Sequence, residues 1–465
     1  MSGRSLRRYG AGVVAACALA LAAATPAMAA STHYTGTTSD GGGWIADVPA
    51  NWNGTLLLYS HGYGTLSPQD APDPTTQAAL LNAGYALAGS GYDPNGSLWA
   101  LGSAVGDQFQ TLKAVEKTVL PSRPTQVLAF GTSMGGLISA LEDQQSHGRL
   151  DGALTTCGLV AGGIQLNNYQ LDGEYAINKL LAGDAAKLVN YTSQDDAVTA
   201  AVRLNTAAMQ AQQTEGAVGR ARLALAMALM NVTTWAPNES MPGVYDYAAQ
   251  EEQQYEEEFV ANPVMIFIET GRQQIELAAG GNGGWDAGVN FAKLLSDSSY
   301  YAEVHALYRA AGLSLHDDLR TLTQGANIRA SDRAIRWLQQ TSVPTGHLQV
   351  PELDLHTISD QLVPVQQENY YHGLVRRAHD TSLLRQDFVE RQEHCNFTPA
   401  ELLAGVQAVQ HRVQTGHWDA VALPSSLEAA ATGLNLGDAA FVPFWPDRLS
   451  GDNGPFNPFT QGSRP

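Results

Sequence analysis

The chain has 465 residues, of which 44% are hydrophobic and 15% charged, a composition that forms a core and excludes a disordered acidic chain. Its formal net charge of −19, from 26 basic and 45 acidic side chains, argues against nucleic acid and anionic lipid as partners. Length alone allows two or three domains, but the order of elements argues for one core with a large insertion.

The first residues read as a leader. Arg4, Arg7 and Arg8 form a charged start, Ala11 to Ala24 is apolar, and Ala27-Met28-Ala29 fits the small-x-small cleavage rule. Residues 1–29 are therefore expected to be a signal peptide. The apolar run is too short and too rich in alanine for a strong membrane anchor, and no later stretch is long enough to span. The mature chain is expected to be soluble and exported, to the periplasm or the medium. Cys17 leaves with the leader, so Cys157 and Cys395 remain as a pair in an oxidising compartment, which predicts one disulfide. No spacing of cysteine and histidine resembles a zinc site, and no metal is expected.

Residues 44–49, 54–60 and 85–90 read as strands, with helices over 76–83 and 105–119 between or after them. A strand over 126–130 and a helix from 136 follow, and then a strand over 152–157. Strands alternating with helices imply a mostly parallel sheet covered on both faces. The alternation stops near Gly163. From 165 to 338 the chain is rich in Ala, Gln, Leu and Glu and reads as a helical cap, broken by a glycine-rich stretch over 278–284. Strands are predicted again over 348–356 and 383–389, and an amphipathic helix over 399–415. The core is expected to span 30–164 and 339–425, with an irregular strap over 426–465.

Gly131-Thr132-Ser133-Met134-Gly135 lies between the fourth of these strands, over 126–130, and its helix. In that context G-x-S-x-G means a turn sharp enough to hold a serine hydroxyl out at the edge of a sheet. A serine needs a base, and the base needs an orienting acid. The candidate acid is Asp360, in the turn after a late apolar strand. The candidate base is His394, placed where the last strand ends, ahead of His356, His372, His379 and His411. Met134 and Tyr63 are the candidate oxyanion donors, Tyr63 because His61-Gly62-Tyr63-Gly64 follows a buried strand. Tyr63 and Trp99 are candidate substrate contacts; for Trp99 and for Tyr92 a packed core position is equally open. The acidic run Glu251-Glu252 with Glu256-Glu257-Glu258 reads as a solvated helix face, with a clamp for a substrate amine as the alternative.

His61 to Gly64, Gly131 to Gly135, Asp360 with Val363-Pro364, and His394 resemble the α/β-hydrolases in type, order and context. The chain is similar to secreted bacterial serine esterases with an inserted helical lid, a group that includes lipases, tannase-like and feruloyl esterases, polyester hydrolases and tripeptidyl aminopeptidases. His394-Cys395 resembles the pair in tannase-like enzymes, which also carry a cysteine just before the serine; Thr132 holds that position here. The resemblance implies a Ser-His-Asp hydrolase with no metal or organic cofactor, acting on a small-molecule or polymeric ester. A peptidase of the same fold and a non-catalytic binding protein are the alternatives.

Overall fold

The computed structural model describes residues 30–261 and 264–451. The leader with Cys17, and the end of the strap over 452–465, lie outside the described residues. Nine strands form one sheet: β1 (Ser31–Thr37), β2 (Gly43–Pro49), β3 (Thr55–Ser60), β4 (Ala86–Ser90), β5 (Gln126–Thr132), β6 (Gly152–Thr156), β7 (Glu352–Ser359), β8 (Leu384–Gln392) and β9 (Phe441–Val442). Their order is β1-β2-β4-β3-β5-β6-β7-β8-β9. The six strands from β4 to β8 run parallel, while β1, β2 and β9 are antiparallel to their neighbours. In β3 and β6 every residue is buried, as expected of strands covered on both faces.

The helices of the first half are α1 (Pro74–Asn82), α2 (Ala104–Thr118) and α3 (Met134–Gln144). Asp73 caps α1 by accepting from the amides of Thr75 and Thr76, and Pro74 fills the first turn, where no N–H is needed. Between β6 and β7 the described chain is helical: α4 (Gly162–Leu180), α5 (Gln194–Thr214), α6 (Gly216–Met230), α7 (Tyr247–Tyr255), α8 (Val264–Ala279), α9 (Phe291–Asp297), α10 (Tyr301–Ala311), α11 (Leu315–Gly325) and α12 (Asp332–Thr341). One wide π turn over Glu256–Ala261 continues α7. The apolar faces of these helices share one core cluster with Met134, Leu137 and Ile138 of α3. A separate cluster under the other face of the sheet joins β3, β5 and β7 to α14 (Pro399–Thr415), which follows α13 (Gln366–Ala378). Thr398 and Glu401 form a reciprocal capping box at the start of α14, and Gly416 ends it in the left-handed region.

Four features differ from the sequence reading. Strand β1 was not predicted: it is an edge strand, mostly exposed, and lacks the apolar alternation that marks a half-buried one. The strand predicted from 348 begins at Glu352, because the backbone amides of Gln349 and Val350 bond the Asp143 carboxylate instead of a neighbouring strand. The segment expected to be an irregular strap contains α15 (Pro424–Leu434) and β9. Three acids of the acidic run are not solvated: Glu251, Glu257 and Glu258 are each no more than 1% exposed, while Glu252 is exposed and Glu256 half-buried.

Candidate active site

Ser133 separates β5 from α3 and has φ 61° and ψ −122°, outside the regions a serine normally adopts. The glycines around it are required by space. A Cβ on Gly131 would stand 1.9 Å from the carbonyl oxygen of Gly135, and one on Gly135 would stand 1.8 Å from that of Ser60. The neighbouring Gly136 meets the Gly158 backbone at 2.6 Å in the same way. The turn is pinned by Ser133 N–H donating to the Thr156 carbonyl at 3.0 Å. Met134 is the first residue of α3, so its N–H is one of the four that a helix start leaves without an intrahelical acceptor.

The Ser133 Oγ is 2.8 Å from His394 Nε2. His394 Nδ1 is 2.6 Å from Asp360 Oδ2. The other oxygen of Asp360 accepts from the amides of Leu362 at 2.9 Å and Val363 at 2.8 Å, which closes the loop after β7 around the carboxylate. Burial alone would raise the pKa of Asp360; the charges and hydrogen bonds of His394 and His356 outweigh it and hold the acid well below the usual carboxylate range. His356 ends inside this network, with Nε2 2.9 Å from the Val363 carbonyl and Nδ1 2.9 Å from Glu368. His372, His379 and His411 lie on or beside α13 and α14, away from these bonds.

His394 is carried on a loop whose neighbours Glu393 and Cys395 both have positive φ. Cys395 is bridged to the fully buried Cys157 at the end of β6, with a Cα separation of 5.3 Å. Its sulfur is 3.2 Å from His394 Nε2. The disulfide therefore joins the histidine loop to the strand beside Ser133.

Tyr63 follows β3 in a loop held from below. His61 is buried and stacks on Tyr92 with 4.3 Å between ring centroids, and the Tyr92 hydroxyl donates to the His61 carbonyl at 3.0 Å. Tyr92 is thus a packed core ring and does not contact the site. Tyr63 and Trp99, with Ser133 and His394, line a narrow cavity of about 40 Å³. Leu159 and Leu166 from one side, and Phe267, Ile268 and Ile275 of α8 from the other, complete its apolar walls. Trp99 is also a core residue, bonding the Ser342 hydroxyl at 3.3 Å. Phe267 meets the Tyr63 ring edge-on at 5.3 Å.

Sequence reasoning missed the α8 residues and Arg272. The Arg272 guanidinium borders the cavity while bonding both oxygens of Glu174 at 2.6 Å, with Glu269 at 3.5 Å. Burial raises the pKa of Glu174 and of Glu269 despite this partner, so the cluster is short of positive charge. Nothing in the sequence signals a pair of residues 98 positions apart. Among the described residues no helix is long and apolar enough to cross a membrane.

No protein-family model matches the chain. It is 27% identical over 438 residues to o-phthalyl amidase of Xanthobacter agilis, covering 88% of this chain and 93% of that one. In structure it is similar to feruloyl esterase B of Aspergillus oryzae, with a TM-score of 0.43, 15% identity, and 82% and 81% of the two chains covered. It is also similar to the acylaminoacyl peptidase of Pyrococcus horikoshii, with a TM-score of 0.34 and 9% identity. There 79% of this chain is covered, but it spans only 38% of the peptidase. The parallel strands in the order found, and the strained serine leading from a central strand into its helix, are what the sequence resemblance implied. The chain has an α/β-hydrolase fold.

Proposed function

We propose that the protein is a secreted serine hydrolase that cleaves carboxylic esters through an acyl-enzyme. The observation that carries this reading is the hydrogen-bonded line from Ser133 through His394 to Asp360, at the wall of an apolar cavity. Ser133 attacks the carbonyl carbon as His394 Nε2 takes its proton. Asp360 holds the imidazole with Nδ1 protonated and stabilises the imidazolium. The amides of Met134 and Tyr63 donate to the oxyanion. The tetrahedral intermediate collapses, His394 returns the proton to the leaving alcohol, and water repeats the sequence on the acyl-enzyme. Tyr63, Trp99 and the α8 side chains receive the apolar part of the substrate. Helices α4 to α12 serve as the cap over this site, and α8 is the part of it that touches substrate.

Amide hydrolysis is the second reading, favoured by the relative named as an amidase over 88% of the chain. A phenyl ester and the anilide of the same acid separate the two. The ester reading requires a far larger kcat/KM for the ester, and turnover of the anilide at a comparable rate would replace it with the amidase reading. Labelling of Ser133 by a fluorophosphonate tests the nucleophile; an unlabelled serine in folded protein would favour a binding protein on a hydrolase fold. Secretion rests on the leader, and predicts a mature protein in the medium or periplasm that starts at Ala30.

A further inference from the structure

Helix α4 is buried from Gly162 to Asn178, so its polar side chains need partners inside the protein. Several have them. Gln165 donates to the Tyr370 hydroxyl at 3.2 Å, Asn168 accepts from the Trp285 amide at 3.2 Å, and Glu174 holds Arg272. Gln170 does not. It is only 8% exposed, and its side-chain amide makes no hydrogen bond to any described residue. Neither its oxygen nor its nitrogen is sealed from open space, and the space it borders is the cavity at Ser133.

Gln170 lies one turn along α4 from Leu166, on the same face, and both line that cavity together with Ile268, Gly271 and Ile275 of α8. Gly271 sits inside a helix, where glycine is unfavourable, and a Cβ there would meet no atom within 4 Å. Helix α8 thus leaves room in the cavity that Gln170 borders. A buried amide without a partner is costly. A substrate that fills the cavity removes water from this amide and must replace its hydrogen bond, or it is rejected. The neighbouring Arg272 is not free to take a substrate carboxylate. Glu174 holds it with both oxygens and Glu269 stands 3.5 Å away, so no unclaimed positive charge remains there.

We infer that Gln170 sets specificity by exchanging a hydrogen bond with an uncharged oxygen on the acyl part of the substrate, held between α4 and α8. The inference rests on the hydrolase reading proposed above. It makes the preferred ester one whose acid carries an ether, carbonyl or hydroxyl oxygen along its chain, in place of a plain alkyl group. Gln170 takes no part in the bond cleavage at Ser133.

Paired p-nitrophenyl esters in which an oxygen replaces one CH2 test this: 3-methoxypropanoate against pentanoate, and 4-methoxybutanoate against hexanoate. The readout is the ratio of kcat/KM within each pair, compared between the whole mature protein and Gln170→Met, so that the intrinsic reactivity of each ester cancels. Methionine keeps the length of the side chain and removes its amide. In at least one pair the ratio should fall about fivefold or more in the variant. The melting temperature should not fall, because an amide without a protein partner does not stabilise the fold. The mono-p-nitrophenyl ester of glutaric acid, which is charged, should be a poorer substrate than the hexanoate. Unchanged ratios in the folded variant, a lower melting temperature that marks a structural amide, or preference for the charged ester would overturn the inference and leave the ester reading standing. No turnover of any of these esters by the wild-type protein would overturn both.

Discussion

His356 Nε2 lies 3.5 Å from Oδ2 of Asp360, the same oxygen that faces His394 Nδ1. One carboxylate thus stands between two imidazoles. Burial alone would lower the pKa of His356, but its hydrogen bonds to Asp360 and Glu368 raise it to about 10. His356 is therefore a cation that fixes the Asp360 loop from beneath. His356→Gln is expected to lower kcat about tenfold with little change in KM, because a small displacement of Asp360 misplaces the proton acceptor. The variant should also melt earlier. Steady-state kinetics beside a thermal melt checks both, and an unchanged kcat would remove His356 from the positioning role.

Ser133→Ala should cost about 10³-fold or more in kcat toward p-nitrophenyl esters without unfolding the protein. The strained backbone at this position is imposed by the fit of β5 against α3, so loss of the hydroxyl leaves the turn intact. Retention of most activity by the purified, folded variant would refute the mechanism.

The Cys157–Cys395 bridge is expected to support both stability and rate. It closes a sequence separation of 238 residues, for which the chain-entropy model gives a ceiling of about 5.5 kcal/mol. It also holds the residue after His394 against β6. Replacing both cysteines by serine should lower the melting temperature and kcat together. A variant that loses stability but keeps its full kcat would show that the bridge does not restrain the histidine loop.

Phe267→Ala should shift acyl selectivity. Phe267 is 44% exposed and lines the cavity at Ser133, so its removal opens the wall with little loss of core packing. Relative kcat/KM for hexanoyl and longer p-nitrophenyl esters over acetyl should rise about tenfold, the worth of one to two methylenes in an apolar pocket. An unchanged chain-length profile would place the acyl group elsewhere.

Stability should fall as pH rises from 5.5 to 8.5. Burial is the first cause that lifts Glu142 to about 8, and Asp70, Glu352 and Asp387 to about 7. These acids keep protons in the folded chain that the unfolded chain has released above about 4. The folded state therefore binds more protons across this window, and raising the pH favours unfolding. His356 adds to the same slope: its contribution is complete below the unfolded histidine value and is lost as pH rises through about 10. Asp360, whose pKa is depressed, acts only below the window, where acid would remove its contribution. The melting temperature should be higher at pH 5.5 by about 5 °C. A melting temperature that rises across this range would contradict these assignments.

The sequence by itself determined what short-range sterics decide. The glycines flanking Ser133, the parallel core strands, and the helix that starts at Pro399 are legible because backbone clash, apolar runs and capping act within a few residues. The order of Ser133, Asp360 and His394, and their places in loops after strands, made them candidates. That the three meet in one hydrogen-bonded line is decided only in three dimensions, by strands β5, β7 and β8 placed in one sheet. The helices between β6 and β7 were legible as helices, but not their faces. Acidic residues in that stretch look solvated in sequence because charge normally seeks water; Glu251, Glu257 and Glu303 are buried instead, because helices distant in sequence close over them. The Arg272–Glu174 pair and the α8 wall of the cavity share this origin. Each depends on which surfaces the tertiary structure removes from water, and burial is a property of the packed chain that local pattern does not encode.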